Sequence, residues 1–250
     1  MQNKPKYVYY ANDMTKAYDA TTVDYVERGV LATYTNNETF PMVMFIYDHI
    51  ATDNASFQKT FLLQCVNRPT INGTTVSFDN GKGKLVLNSL KGADSIRSYG
   101  GDQIFYLPEA NKTLNPTYAT STGDMWGRVE IRPNVGSKTN YLMNVIYVTD
   151  VETTEVLTPT LVETSTLIGA VALDQTAVFM KTKTYESSTV TFAATTYGSV
   201  KMNYYVGGLA TGTWDVSIGG VSVGSFAVDN TTHFVTFASN ATGTVTMTRR

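Results

Sequence analysis

The chain has 250 residues, a formal net charge of -2 at pH 7 and only 16% charged residues. Its Lys and Arg residues form no basic cluster beyond the terminal Arg249 and Arg250, which excludes a nucleic-acid-binding surface. One cysteine and two histidines exclude an intramolecular disulfide framework and leave few ligands for a Cys/His zinc site, and no run of about 18 apolar residues predicts a membrane span.

Along nearly the whole chain, apolar residues alternate with polar ones or form short buried runs between turn signals. This pattern predicts an all-β protein: a large antiparallel β-sandwich of two stacked, twisted sheets with almost no helix. Only residues 12–20 have the composition of a helical turn. The sixteen predicted strands are, in chain order, 6–10, 23–34, 42–49, 59–66, 74–78, 84–89, 95–99, 127–133, 141–149, 166–172, 176–181, 188–193, 201–206, 212–218, 221–228 and 233–237.

Two features bear on chain organisation. Asp79-Asn80-Gly81 and Gly219-Gly220 predict tight hairpins, because Asn and Gly tolerate a positive φ. The acidic, Thr-rich segment 150–163 marks a soft sub-boundary: more aromatic strands precede it, and strands richer in Gly, Ser and Thr follow it. Two lobes or two stacked sheets would both produce this change, and we predict a single β-sandwich domain over residues 1–250.

The stretch "MVMFIYDHIATDNASFQKTFLLQC", residues 42–65, contains one histidine and the single cysteine, Cys65. Asp48 and His49 close an apolar run, so one interpretation is a metal or acid/base site. The alternative is that Asp48 accepts hydrogen bonds from a turn and His49 is partly exposed. Adjacent strand residues point to opposite faces, so the two side chains cannot converge without a bulge, and we favour the alternative.

The stretch "TGDMWGRVEIRP" places Trp126, Arg128, Glu130 and Arg132 on one face of a predicted strand. Arg pairs with carboxylate or sulfate in a bidentate fork and Trp stacks on sugar rings, which predicts a carbohydrate-binding face. A solvated face with cross-strand ion pairs, each worth about 0.2–1 kcal/mol, explains the pattern equally well.

Tyrosine is abundant, with sixteen residues. A tyrosine can act as base and acid in β-elimination from a uronic acid, although most tyrosines are half-buried strand residues. His233 follows a turn and opens the last predicted strand. The chain has no G-x-S-x-G, GxGxxG, Walker or H-E-x-x-H motif, so we assign no catalytic residue. The tyrosines considered include Tyr7, Tyr9, Tyr10, Tyr18, Tyr25, Tyr106, Tyr118 and Tyr141.

Several segments occur in an order that resembles the C-terminal β-sandwich region of the heparinase II/III-like polysaccharide lyases. They include "MVMFIYDHIATDNASFQKTFLLQC", "GKGKLVL", "GRVEIRP", "NYLMNVIYVTD", "IGAVALDQTAVF" and "YYVGGLATGTWDVSIGG". Each motif is loose by itself, but their order is maintained over residues 7–237.

The resemblance implies a lineage of uronate-polysaccharide lyases in which an α-helical toroid, not matched here, supplies the tyrosine base. It also implies a bacterial-type protein that is secreted, periplasmic or on the cell surface, although the first residues lack an apolar signal-peptide core. Asp48 matches a family aspartate that helps to hold zinc, whereas Gln64 stands where the family has a histidine. The family's upstream histidine motif is absent, so we expect neither zinc nor another cofactor.

We therefore expect a module without the full catalytic set that serves carbohydrate binding, support of a catalytic partner or structural assembly. The expected partners are an acidic polysaccharide or a catalytic toroid domain, with no nucleic acid and no membrane span, and homo-oligomers stay open. One alternative is a compact carbon-oxygen lyase that uses a tyrosine base on uronic-acid polysaccharides. Another is a structural protein that self-assembles through its sheet edges.

Overall fold

A computed structural model describes residues 6–103, 105–113 and 126–250, and the fold is all-β, as predicted. The helical elements of the described ranges are short 3₁₀ turns, with no α-helix among them. No helix in these ranges is long and apolar enough to cross a membrane. The first strands are β1 (Tyr7–Asp13), β2 (Val23–Tyr34), β3 (Met42–Thr52), β4 (Phe61–Cys65), β5 (Thr70–Asn72), β6 (Thr75–Asn80), β7 (Gly83–Lys91), β8 (Ser95–Gly100), β9 (Tyr106–Leu107), β10 (Lys112–Thr113), β11 (Gly127–Arg132) and β12 (Thr139–Asp150). They are followed by β13 (Thr160–Glu163), β14 (Leu167–Ala172), β15 (Gln175–Met180), β16 (Val190–Ala193), β17 (Met202–Gly207), β18 (Gly212–Ile218), β19 (Val221–Val228), β20 (Phe234–Ser239) and β21 (Thr244–Arg249).

Three short 3₁₀ turns complete the described elements: η1 (Thr15–Ala17), η2 (Gly101–Gln103) and η3 (Pro108–Ala110). The helical turn predicted within residues 12–20 is η1. The hairpin predicted at Asp79-Asn80-Gly81 joins β6 to β7, and Gly81 adopts a φ of 61°, which glycine reaches without a steric penalty.

The strands of the described ranges form four main sheets and one two-stranded ribbon, β10-β9. Among these strands, neighbours pair antiparallel except β15 and β17, which are parallel. We name the sheets by their order in the stack. The outer N-terminal sheet is β4-β11-β8, the inner N-terminal sheet is β1-β2-β3-β12-β7-β6-β5, the inner C-terminal sheet is β13-β14-β15-β17-β20, and the outer C-terminal sheet is β16-β21-β18-β19.

Three hydrophobic cores separate the four sheets. Leu87 and Ile131 belong to the core between the two N-terminal sheets, and Trp214 belongs to the core between the two C-terminal sheets. Phe45 and Phe179 lie in the central core, where the two inner sheets meet. The prediction of antiparallel sheets is confirmed, but the stack has four layers rather than two, because both inner sheets are apolar on both faces and need cover on each side.

The two pairs of sheets follow the chain order. Apart from the β10-β9 ribbon, strands up to β12 build the N-terminal sheets, and strands from β13 onward build the C-terminal sheets, so sheet membership changes between Asp150 and Thr160. Polar contacts cross the central core as well: Tyr47 Oη donates to the Met180 carbonyl at 3.0 Å, and Tyr141 Oη donates to that of Lys181 at 3.2 Å. How the chain divides into domains stays a prediction.

Candidate functional site

Asp48 and His49 lie on opposite faces of the inner N-terminal sheet, as strand alternation predicts. Asp48 faces the outer N-terminal sheet and accepts two hydrogen bonds from Arg28, from Nε at 2.6 Å and from Nη2 at 3.0 Å. His49 faces the inner C-terminal sheet, and its ring contacts those of Tyr25 and Tyr141. The expected turn and partial exposure were wrong, because β3 continues to Thr52 and both side chains are buried.

The residues of this stretch do not fit a zinc ion of the family type. Both carboxylate oxygens of Asp48 are already bound by Arg28. Gln64 is exposed on the outer face of the outer N-terminal sheet, since its neighbours Leu63 and Cys65 pack inward. Across the described ranges, no three His, Cys, Asp or Glu side chains are grouped so that they could hold a metal.

Cys65 is a buried, free cysteine in the core between the two N-terminal sheets. Burial raises the pKa of its thiol to about 11. The thiol is therefore protonated at neutral pH and is a poor nucleophile and a poor metal ligand.

Arg128, Glu130 and Arg132 share the outer face of the outer N-terminal sheet, because Val129 and Ile131 between them point into the core. Glu130 is buried and binds both arginines. One carboxylate oxygen accepts a hydrogen bond from Arg128 Nε at 2.7 Å, and the other accepts one from Arg132 Nη2. The strand alternation predicted for these residues is confirmed, and Glu130 fixes the position of both guanidinium groups.

A short segment that we call the strap, residues 106–113, lies against this row of charges. The Tyr106 carbonyl accepts a hydrogen bond from Arg128 Nη2, and Glu109 pairs with Arg132 at 2.5 Å. The Arg128 and Arg132 side chains are only 13% and 12% exposed as a result. Carbohydrate binding by this row stays a prediction.

Trp126 directly precedes β11, and its indole is half-buried. The ring packs against the core between the N-terminal sheets and lies beside Gly100, where a Cβ would come within 2.5 Å of it. Any side chain at position 100 would therefore displace the indole. Stacking of Trp126 on a sugar ring also stays a prediction.

A second candidate site is a cleft of about 290 Å³ between the inner N-terminal sheet and three C-terminal segments. These segments are the chain after β15, the end of β17 and the turn before β20. We call it the acidic cleft. Its polar and aromatic lining consists of Tyr9, Asp13, Tyr25, Glu27, Thr182, Lys183, Thr184, Tyr185, Thr231, Thr232 and His233.

Asp13 on β1 and Glu27 on β2 are directly opposite each other in the antiparallel register. Burial, followed by the nearby Asp13 charge, raises the pKa of Glu27, although a hydrogen bond from Tyr25 Oη at 3.1 Å opposes this shift. Asp13 is exposed, and hydrogen bonds from Thr15 lower its pKa. The pair thus combines a carboxyl group that resists ionisation with one that favours it.

Aromatic rings form the walls of the acidic cleft. Tyr9 stacks on Phe234 at a centroid distance of 4.1 Å, and burial raises its pKa. Burial and Glu27 also raise the pKa of Tyr25, whose ring lies 5.6 Å from Lys183 Nζ. At the rim, the exposed Tyr185 ring stacks on His233.

Tyr9, Tyr25 and His233 are single candidates in the sequence, and no motif joins them. Sequence alone does not single out the remaining cleft residues Asp13, Glu27, Lys183 and Tyr185, because only the β1/β2 register and the packing of distant loops make them neighbours. The other tyrosines do not join this group. Tyr10 and Tyr18 are exposed, and Tyr118 lies outside the described residues.

Comparison with known families gives a match in the second half of the chain. Residues 161–249 match the family described as Heparinase II C-terminal domain, which confirms the resemblance over this range. The match covers β14 to β21 and most of β13, so it comprises the two C-terminal sheets. For the residues before it, the resemblance stays a prediction. No curated protein matches the chain.

Proposed function

We propose that this chain, which contains a heparinase II C-terminal domain over residues 161–249, binds an acidic polysaccharide on its outer N-terminal sheet. The observation that carries the proposal is the arrangement around Glu130. This buried carboxylate holds the guanidinium groups of Arg128 and Arg132 in fixed positions on one sheet face. Binding to a fixed guanidinium loses less conformational entropy than binding to a free side chain.

The charges of this face favour an anionic ligand. Arg97 is the cross-strand neighbour of Glu130 on β8 and is exposed. Three arginines therefore lie around one buried carboxylate, and Glu109 of the strap adds a second negative charge from outside. If Glu109 moves away, the face carries three positive charges and one negative charge.

Glu109 occupies the place where a ligand carboxylate would bind. Its side chain is 56% exposed, whereas that of its partner Arg132 is 12% exposed. Solvent screens the charge of an exposed carboxylate, so a uronate carboxylate or a sulfate can replace Glu109 on Arg132. Arg132 Nε is buried without a hydrogen-bond partner among the described residues.

The proposed role is binding and positioning of the polysaccharide. The arginine side chains of this face supply positive charge and hydrogen-bond donors, so the face offers charge recognition rather than acid/base chemistry. The strap contributes to selectivity, because a neutral sugar has no group that can replace the Glu109 carboxylate on Arg132.

Calorimetry with a uronate oligosaccharide and its carboxyl-reduced counterpart tests the proposal. Hydrogen bonds to charged groups contribute about 1.5–3 kcal/mol, so Arg132→Gln should weaken uronate binding about 10- to 100-fold. Glu109→Gln should strengthen binding by removing the internal competitor. The carboxyl-reduced sugar should bind to neither variant.

The controls separate loss of binding from loss of folding. Arg97→Gln removes an exposed guanidinium that does not hold Glu130, and it should weaken binding without changing stability. Arg250→Gln removes the same charge on the outer C-terminal sheet, where Arg250 pairs with Asp215, and it should change nothing. Unchanged binding by both Arg97→Gln and folded Arg132→Gln would reject this face as the site.

A further inference from the structure

We propose that the acidic cleft binds a saccharide that carries a free ammonium group, with Asp13 and Glu27 as its counter-ions and Tyr185 against the sugar ring. This site lies in the central contact between the N-terminal and C-terminal sheets. Its charge is opposite to that of the outer N-terminal sheet, so it is independent of the polysaccharide site proposed above.

The carboxyl pair has no counter-ion within the described part of the chain. The ion pairs found there do not include Asp13 or Glu27. Lys16 is close enough to lower the pKa of Asp13 without forming an ion pair, and Lys183 Nζ lies over the Tyr25 ring instead. Like charges directly opposite each other in a sheet are destabilising, so an ammonium group placed between them would relieve an existing repulsion.

The walls of the cleft suit a sugar ring and a cation. Tyr185 is 54% exposed at the rim, with its ring stacked on that of His233. Tyr25 Oη is fixed by its hydrogen bond to Glu27. Tyrosine faces attract ammonium groups and also pack against the apolar faces of ligands, so ring and charge can be recognised side by side.

His233 supports a binding role through its backbone and its side chain. It has a φ of 50°, which is uncommon for a residue other than glycine and costs free energy. Its Nδ1 lies 2.9 Å from the Leu209 carbonyl oxygen and donates to it, which leaves Nε2 as the ring nitrogen without a hydrogen bond to that carbonyl. A sugar hydroxyl can form a hydrogen bond with Nε2.

Other ligand classes fit less well. A uronate carboxylate would approach two protein carboxyl groups, which is unfavourable. A divalent metal would have only two carboxyl ligands, because the described residues contain no group of three His, Cys, Asp or Glu side chains around a common point. An ammonium group needs fewer ligands than a divalent metal, and the aromatic walls of the cleft stabilise it further.

Titration calorimetry at pH 6.5 tests the inference with three probes: a β-linked glucosamine oligosaccharide, its N-acetylated counterpart and a uronate oligosaccharide. The glucosamine oligosaccharide should bind at least about tenfold more tightly than the acetylated one, because acetylation removes the charge. Glu27→Gln should weaken its binding by about tenfold or more, and Asp13→Asn by a similar factor. Tyr185→Ala should weaken it about two- to fivefold.

Asp215→Asn is the matched control, because it removes an exposed carboxylate from the outer C-terminal sheet and should leave binding unchanged. Asp13 is exposed on an edge strand, so Asp13→Asn keeps the test valid if Glu27→Gln unfolds the chain. The inference would be overturned if the acetylated and glucosamine oligosaccharides bound equally tightly, or if the glucosamine oligosaccharide did not bind. It would also be overturned if Ca²⁺ displaced the bound glucosamine oligosaccharide. Arg132→Gln should not affect this binding, which separates it from the proposed polysaccharide site.

Discussion

Glu27 and Arg28 are neighbours on β2, and Asp48 and His49 are neighbours on β3. The charged side chains are paired on one face of this strand pair and lack an ion pair on the other. Towards the outer N-terminal sheet, Arg28 and Asp48 form a bidentate ion pair, and the guanidinium also lies over the Phe61 ring. Towards the inner C-terminal sheet, Glu27 lies between Asp13 and His49 in the register, without an ion pair.

This difference separates a structural use of charge from a functional one. A buried carboxylate needs a partner, and Asp48 has one that satisfies both of its oxygens. Glu27 borders a cleft and retains an unfavourable neighbour, Asp13, that folding does not require. A charge that costs stability and remains accessible is a better candidate for ligand binding than a charge that is paired in the interior.

Breaking the Arg28–Asp48 pair should have the largest effect on stability. Asp48→Ala leaves the Arg28 guanidinium partly buried without a partner, and we expect a loss of about 3 kcal/mol in the free energy of unfolding. This value is at the low end for buried pairs, because the Arg28 side chain is 32% exposed. Urea denaturation at pH 7 measures the loss.

Removing both partners provides the control. Arg28→Met combined with Asp48→Leu replaces the pair with apolar side chains and should recover most of the loss. If the double variant is as unstable as Asp48→Ala, packing volume rather than charge decides stability at this position. The Arg28–Asp48 pair would then not be a stabilising use of charge, and the contrast with Glu27 would be wrong.

His49 should make stability depend on pH on the opposite face. Burial, with a smaller contribution from the Lys183 charge, lowers the pKa of His49 to about 4. The unfolded chain therefore takes up the proton first, with a pKa of about 6.5, so stability is complete above that pH and is lost as the pH falls towards 4. Between pH 7.5 and 5.0 this contribution is about 2 kcal/mol.

His49→Phe keeps a ring between Tyr25 and Tyr141 and removes the titration. Urea denaturation of both proteins at pH 7.5 and 5.0 isolates the contribution of His49, since other groups titrate in both. The variant should lose less stability on acidification than the unmodified protein. Equal losses would show that His49 becomes protonated in the folded state without cost.

The part of this arrangement that was predictable from sequence is the local part. The alternation of strand residues separated Asp48 from His49 and placed Arg128 and Glu130 on one face, because side-chain direction follows from the backbone alone. The bounds of β2 were also predicted, since a long apolar run between turn signals defines them. An all-β, antiparallel fold follows from the same periodicity.

The non-local part was not predictable. The apolar faces on both sides of β3 and β15 require cover, but the number of sheets depends on which strands pair. Asp13 meets Glu27 only through the β1/β2 register, and Tyr185 and His233 reach the cleft from segments far along the chain. Their individual motifs carry no signal of this proximity.

Replacing Glu27 should have the smallest effect on stability and the most direct bearing on the comparison. Burial raises the pKa of Glu27, so the folded chain disfavours its ionised form, and the penalty is present above the folded-state pKa and disappears below it. Glu27→Gln keeps an acceptor for Tyr25 Oη and removes the repulsion from Asp13. We expect a gain of up to about 1 kcal/mol at pH 7 that vanishes near pH 4.

Glu155→Gln, at an exposed position outside the strands, removes the same charge and should leave stability unchanged. A loss of stability in Glu27→Gln at pH 7 would mean that the carboxylate has a stabilising partner, and the two faces would then use charge in the same way. A gain in stability together with weaker binding of the glucosamine oligosaccharide would show that Glu27 is retained at the expense of folding. That combination is expected of a ligand-binding carboxylate, because a purely structural one would not lower stability.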